Sequence, residues 1–376
     1  MKIGLFGFTT DHENMGCQAL TCSFIAILNE LIDNNLELIV FGGGNGLGVI
    51  PDLFPNIKFE YCEALLKKPI FIKKLLECEI VFDETFGDGF SDIYFGKDEY
   101  KDIAKKIIAE VFSKKFVLTP QTYGPFKDKK MEKIAGRVIR KANIVFSRDT
   151  ISANYAKKIS GRDVVTVTDL AFCLPYKVDL KNSNTIGFNV SGLLWQGGFA
   201  KNSNQFGLSI DYQSYCRQII SMLSDMGYCV HLIPHVTRTI NPTRTIPDGD
   251  YPACIALHKE FPNTVLAPCF ETPFEAKNYI ATMEIFIGAR MHSTIGAFSS
   301  DVVTIPVAYS RKFQGLFESL KYKYFVDGKN LSTEEAVHKT IEYVLRKKEL
   351  KSVQNESMKI VNEQLTIFKE NLRELL

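Results

Sequence analysis

Short runs rich in Ile, Val and Phe alternate with amphipathic stretches along most of this chain, and no other feature restricts its fold as much. A strand buried on both faces reads as a continuous apolar run, and joining parallel strands requires a crossover, usually a helix. The alternation therefore predicts βα units around parallel sheets. Strands are expected at Lys2 to Phe8, Glu37 to Phe41, Glu79 to Phe82, Lys115 to Thr119, Asn143 to Ser147 and Val164 to Thr168. Helical spacing marks Cys17 to Ile32, Glu99 to Ser113, Lys130 to Lys141 and Thr150 to Lys158. A polar, turn-rich link from Leu174 to Ser183 interrupts the pattern. It restarts with strands at Thr185 to Val190, Tyr228 to Pro234, Thr264 to Ala267, Glu284 to Gly288 and Val302 to Val307, and helices at Tyr212 to Met226 and Pro273 to Thr282. The expected class is α/β: two doubly wound Rossmann-like domains facing a cleft, over residues 1–178 and 183–330, with C-terminal helices over 331–376 packing on them. In open α/β sheets ligands bind at the carboxyl ends of the strands.

Length agrees, since 376 residues exceed what one core usually supports. A net charge of +2 calls for no nucleic-acid partner. The first apolar run is broken by Thr9, Thr10, Asp11 and His12, which leaves no signal-peptide core, and no run approaches the ~18 residues of a membrane span. A cytoplasmic protein is expected. The Lys-rich stretch Leu65 to Leu76 and the helical tail are compatible with peripheral contact at the inner face of the membrane. The nine cysteines contain no Cys-x-x-Cys, and Cys229, His231 and His235 have no second ligand pair at zinc spacing, so no metal is expected. Gly42 to Gly48 lacks the order of a dinucleotide loop.

The chemistry concentrates where apolar runs end. After Ile285 to Gly288 the chain places Arg290 and His292 at a helix start, where the N–H groups of Met291 to Ser293 have no helical acceptor. That is an anion site. Arg148 follows another strand, with Asp149 as a competing local partner, and Lys312 follows the last strand, well placed for a phosphate. His235 falls at a strand's carboxyl end. Asn14 either caps the first helix or reaches the cleft, and Asp83, Asp88 and Asp92 suit sugar hydroxyls or a solvated loop.

Taken in order, Asn14-x-Gly16 with Gln18-Ala19, Gln121-Thr-Tyr-Gly-Pro125, Ser147-Arg-Asp149, Asp169-Leu-Ala-Phe172, Pro234-His235, Gly288-Ala-Arg-Met-His292 and Tyr309-Ser-Arg-Lys312 resemble the polysaccharide pyruvyl transferases. The resemblance implies a glycosyltransferase-B-like pair of domains. It implies transfer of pyruvate from phosphoenolpyruvate onto a saccharide, free or lipid-linked, commonly as a ketal on two hydroxyls, in surface or capsular polysaccharide biosynthesis. It assigns donor binding to Arg148, Arg290, Met291, Ser293 and Lys312, catalysis to His292 with His235 and Asp88, and acceptor binding to Asn14, Asp88 and Tyr123. Phosphoenolpyruvate is a substrate; no cofactor and no metal is implied. Where the family often carries a run of glycines, this chain has Asp83-Glu-Thr-Phe-Gly-Asp-Gly89. A nucleotide-sugar glycosyltransferase of the same architecture and a catalytically idle carbohydrate-binding protein are the rival readings.

Overall fold

The computed structural model describes residues 1–32, 35–42, 46–64, 68–92, 99–178, 180–237 and 249–376, and the side chains of residues 99, 311, 312 and 314 lie outside that description. Residues 43–45 of the glycine loop and 65–67 of the basic stretch thus fall outside it. Thirteen strands form two sheets among the described residues. The first contains β1 (Lys2–Phe6), β2 (Glu37–Gly42), β3 (Lys58–Glu63), β4 (Ile80–Asp83), β5 (Phe116–Gln121), β6 (Ile144–Ser147) and β7 (Val165–Thr166), in the order β3-β2-β1-β4-β5-β6-β7. The second contains β8 (Thr185–Asn189), β9 (Cys229–Leu232), β10 (Val265–Leu266), β11 (Ile285–Gly288), β12 (Val303–Ala308) and β13 (Val326–Asp327), in the order β10-β9-β8-β11-β12-β13. Their registered pairings are parallel. Each sheet reverses its winding direction beside its first strand, between β1 and β4 and between β8 and β11. Those two gaps are the switch points at which doubly wound folds bind ligands.

Burial explains why these runs are strands. Every residue of β5, β8, β11 and β12 is buried, as expected where helices cover both faces of a sheet. Edge strand β3, KFEYCE, is mostly part-exposed. The helix Pro69–Glu77 buries Phe71 and Leu75 and pairs Lys74 with Glu60 at 2.8 Å, leaving Ile70 and Leu76 exposed.

Contacts divide the chain into two compact units: Met1–Asp11, Leu20–Cys173 and Val361–Leu376 form one, His12–Ala19 and Leu174–Ile360 the other. The contiguous block 1–178 of the sequence reading is thus interrupted at His12–Ala19, for a backbone reason. Asn14 and Val236 form an antiparallel bridge, Met15 N donates to His235 O at 3.2 Å, and Thr237 N donates to Glu13 O at 3.2 Å. The C-terminal block consists of helices Thr333–Leu345, opened by a Ser332–Glu335 capping box, and Lys347–Leu375. Within the second unit the latter buries Gln354, whose amide accepts from Thr304 N at 3.1 Å and donates to Phe298 O at 3.0 Å and Val302 O at 2.8 Å. Among the described residues no helix is long and apolar enough to cross a membrane.

Candidate functional site

At the switch point of the second sheet, β8 ends in Asn189 and β11 runs through Gly288 to Arg290, which precedes helix Met291–Ser299. The Asn189 side chain links the two strands: Oδ1 accepts from Arg290 N at 2.9 Å, and Nδ2 donates to Ile233 O at 2.9 Å. Arg290 is almost fully buried, and its Nε and Nη2 donate to Asp250 Oδ1 at 3.1 and 2.8 Å. Asp250 is fully buried and accepts besides from Gly192 N at 2.8 Å, His235 N at 2.9 Å and Val236 N at 3.1 Å. One carboxylate therefore fixes the guanidinium and the backbone that carries His235. A buried ion pair so fully hydrogen-bonded is an orienting device more than a source of stability.

His292 lies one residue into that helix, against Gly16. A Cβ at Gly16 would stand 2.2 Å from His292 Nδ1, so glycine there is a condition for the imidazole's position. His235 is 5% exposed, and neither ring nitrogen has a hydrogen-bond partner among the described residues. Burial first, then the neighbouring His292 and Arg290, hold the His235 imidazole down to a pKa of about 3. It is neutral near pH 7. The first hydrogen bond within the helix runs from Thr294 N to Arg290 O, so the N–H groups of Met291, His292 and Ser293 have no helical acceptor. Ser293 is fully buried and turns its hydroxyl back onto Arg290 O at 2.8 Å, which leaves its backbone as its contribution. Asn14 Oδ1 accepts from Gly16 N at 2.9 Å, which caps the first helix, one of its two expected roles. The Lys312 side chain lies outside the described residues.

The first unit gathers a second constellation beyond the carboxyl ends of β4 to β7. Arg148 is buried, donating from Nη1 to Asp169 Oδ2 at 2.9 Å and from Nε to Thr122 Oγ1 at 3.0 Å. The expected local partner, Asp149, instead caps helix Thr150–Ser160 by accepting from Ser152 N. Three motifs distant in sequence, around Gln121, Arg148 and Asp169, are thereby joined. Glu84, just past β4, is fully buried with both carboxylate oxygens unpartnered among the described residues. Burial, reinforced by Asp169, raises its pKa well above the carboxylate range against the pull of Arg148.

Two carboxylates expected at a cleft mouth serve other ends. Asp83 is fully buried and accepts from Lys106 Nζ at 2.6 Å, and Asp92 accepts from Lys127 N at 2.6 Å and Asp128 N at 2.7 Å. Asp88 is part-buried after the turn Thr85–Gly87. Tyr123, expected on the acceptor side, is 2% exposed, packs edge-on against Phe90 and donates to Phe146 O at 2.8 Å, so its hydroxyl is committed to the core. Sequence reasoning missed Asp250, Asn189 and Glu84. Asp250 carries a faint signal: an acid just before Tyr251-Pro252 looks like a helix cap, yet its side chain makes no capping bond.

A family model described as polysaccharide pyruvyl transferase matches residues 14–311, most of the chain. No curated protein matches it. Among solved structures, a putative UDP-N-acetylglucosamine 2-epimerase from Listeria monocytogenes is similar at TM-score 0.59 and 11% identity, covering 99% of this chain and 97% of that one. The UDP-GlcNAc 2-epimerase of Neisseria meningitidis bound to UDP-GlcNAc gives TM-score 0.58 at 12% identity, covering 99% and 100%. An alpha-glucosyltransferase in complex with UDP-glucose and DNA gives 0.51 at 10%, covering 100% and 99%. At such identities these likenesses speak for the fold alone, which is glycosyltransferase-B-like.

Proposed function

Because the chain belongs to the polysaccharide pyruvyl transferase family, we propose that it transfers a pyruvyl group from phosphoenolpyruvate to a saccharide, closing a ketal on two hydroxyls in the making of a surface polysaccharide. The observation that carries this reading is the convergence of Arg290, the helix start at Met291, His292 and the unpartnered His235 at one switch point. Phosphoenolpyruvate presents a phosphate and a carboxylate; a buried guanidinium held by Asp250 and a set of helix N–H groups suit both. In the reaction a sugar hydroxyl oxygen bonds to C2 while C3 takes a proton and becomes a methyl group. A second hydroxyl then displaces inorganic phosphate from C2 and closes the ring, each hydroxyl releasing its proton. His292 is the residue assigned to proton transfer. His235, neutral at pH 7, is assigned a hydrogen bond to the donor rather than the acid's role. Arg148 and Lys312 remain assigned to the donor, and Asp88 and Asn14 to the acceptor, on family likeness.

Thermal stabilisation by phosphoenolpyruvate, with uridine diphosphate as the contrasting ligand, tests the donor, since binding to the native state raises the melting temperature by mass action. Arg290→Lys keeps the charge and loses the fork that Asp250 grips, so phosphoenolpyruvate stabilisation should shrink. His292→Gln should lower turnover by about 10²- to 10⁴-fold with far less effect on donor binding. Stabilisation by uridine diphosphate and none by phosphoenolpyruvate would favour the nucleotide-sugar reading.

A further inference from the structure

The second unit contains a cleft of ≈ 660 Å³ that the donor site does not use, lined among others by Trp195, Asn202, Asp211, Gln213, Ser214 and Arg217. We propose that it is an oligosaccharide-binding subsite for the acceptor chain. This deepens the transferase reading and rests on it for the presence of a saccharide.

Its size lies within the range of about 300–1,000 Å³ typical of small-molecule sites. Its chemistry favours a neutral polyhydroxylated ligand. Trp195 is the chain's one tryptophan and is part-buried, so its indole offers an apolar surface on which the C–H face of a pyranose ring can pack. The Arg217 guanidinium lies 5.2 Å from the ring centroid and steadies the indole. Among the described lining residues that arginine is the one cation, and its Nε is spent on Glu260 at 2.9 Å from both carboxylate oxygens. With Asp211 also in the wall, the described lining carries no net charge to draw a phosphate or nucleotide.

The walls are fixed before any ligand arrives. Gln213 Nε2 donates to Trp195 O at 2.9 Å, and Asp211 caps helix Tyr212–Asp225. Asn204 brackets Leu208 by two bonds, Nδ2 to O at 2.9 Å and Leu208 N to Oδ1 at 2.8 Å. Asn202 differs from them: it is exposed, and its side chain makes no hydrogen bond among the described residues. An amide that presents a donor and an acceptor beside an aromatic ring matches the paired hydroxyls of a sugar. Buried Leu194 and Ile210 complete an apolar floor.

Because Trp195 is the sole tryptophan, indole emission reports on this cleft directly. The full chain would be titrated with maltotriose, cellotriose and chitotriose, and separately with inorganic pyrophosphate. At least one trisaccharide should shift the emission saturably and pyrophosphate should not. Asn202→Gly, which removes the amide yet accommodates the φ of 58° at this exposed position, should weaken that response by about 5- to 10-fold, the effect of one hydrogen bond, while stabilisation by phosphoenolpyruvate stays unchanged. No saturable shift with any trisaccharide, a shift that Asn202→Gly leaves intact, or a shift produced by pyrophosphate would each overturn the subsite. Loss of the phosphoenolpyruvate response with the sugar response intact would instead overturn the transfer reading and leave the cleft standing.

Discussion

Glu84 lies just past β4 and His235 beyond β9, and burial disfavours the charged form of each. Their linkage to pH runs in opposite directions. A carboxyl group whose folded pKa is raised keeps its proton where the unfolded chain has lost it, so its contribution is whole below the ordinary value of 4.5 and is lost as pH rises towards the folded value. Glu84→Gln should therefore leave stability nearly unchanged at pH 4 and increase it at pH 8, flattening a slope of up to ~1.4 kcal/mol per pH unit. For His235 the folded pKa is lowered from 6.5 to about 3, so the unfolded chain takes up the proton first and stability falls as pH drops from 6.5 towards 3. His235→Gln should relieve that acid limb by a comparable slope. Urea unfolding at pH 4, 6 and 8 checks both, and parallel pH profiles for a variant and the wild type would refute the corresponding burial effect.

At the level of elements, what was legible in the sequence follows from burial. Strands covered on both faces, such as β11 and β12, announce themselves as apolar runs. Edge strand β3 was missed because Lys58, Glu60 and Glu63 break up its apolar residues, Lys58 pairing with Glu37 of β2 at 2.9 Å and Glu60 with Lys74 of the next helix at 2.8 Å. Helix Tyr251–Glu260 was missed because it is short and buries few residues, Ala253, Cys254 and Leu257, so its apolar spacing is weak. The cations were legible at strand-to-helix turns; the carboxylates that hold them were not, since Asp250 lies 40 residues from Arg290 and Asp169 lies 21 from Arg148. No local periodicity encodes such a pairing. The same holds for the turn after β4, where Thr85, Phe86 and Gly87 take φ of 46°, 55° and 80° in succession. Left-handed threonine and phenylalanine are unfavourable by about 1–3 kcal/mol each. Phe86 N donating to Gly7 O at 3.0 Å and Lys106 Nζ donating to Thr85 Oγ1 at 2.5 Å hold the turn closed. Gly7 is itself at φ 73°, and a Cβ there would stand 2.7 Å from Thr85 N. Gly7→Ala should thus destabilise the first unit by at least ~1–3 kcal/mol, read as a lower urea midpoint; an unchanged midpoint would show that the turn relaxes without loss. Gly16→Ala makes the corresponding test on the second unit, where the new methyl group would displace the His292 imidazole. Transfer should fall at least about 10-fold, and full activity would separate the ring's position from the chemistry.

On the scale of the whole molecule, helix Lys347–Leu375 belongs to both units, residues through Ile360 to the second and those from Val361 to the first. In the first unit it places Phe368 edge-on to Phe146 at 4.8 Å and within 6.4 Å of Phe24, with Val361, Leu365 and Leu372 buried beside it. Removing four such side chains forfeits about 1.5–3 kcal/mol apiece as an upper bound, together comparable to the ~5–15 kcal/mol by which a whole domain is stable. The residues gathered around Arg290, namely Asn189, His235, Asp250 and His292, all belong to the second unit, which extends to Ile360. A chain ended after Ile360 should therefore lose hydrogen-exchange protection across β1 to β6 while β8, β11 and β12 keep theirs. On the donor role proposed for the Arg290 cluster it should still be stabilised by phosphoenolpyruvate, because those residues lie within the second unit. Equal loss of protection in both sheets would mean that the units unfold as one cooperative body. Undiminished protection in the first sheet would mean that the terminal segment adds little to its stability despite its burial.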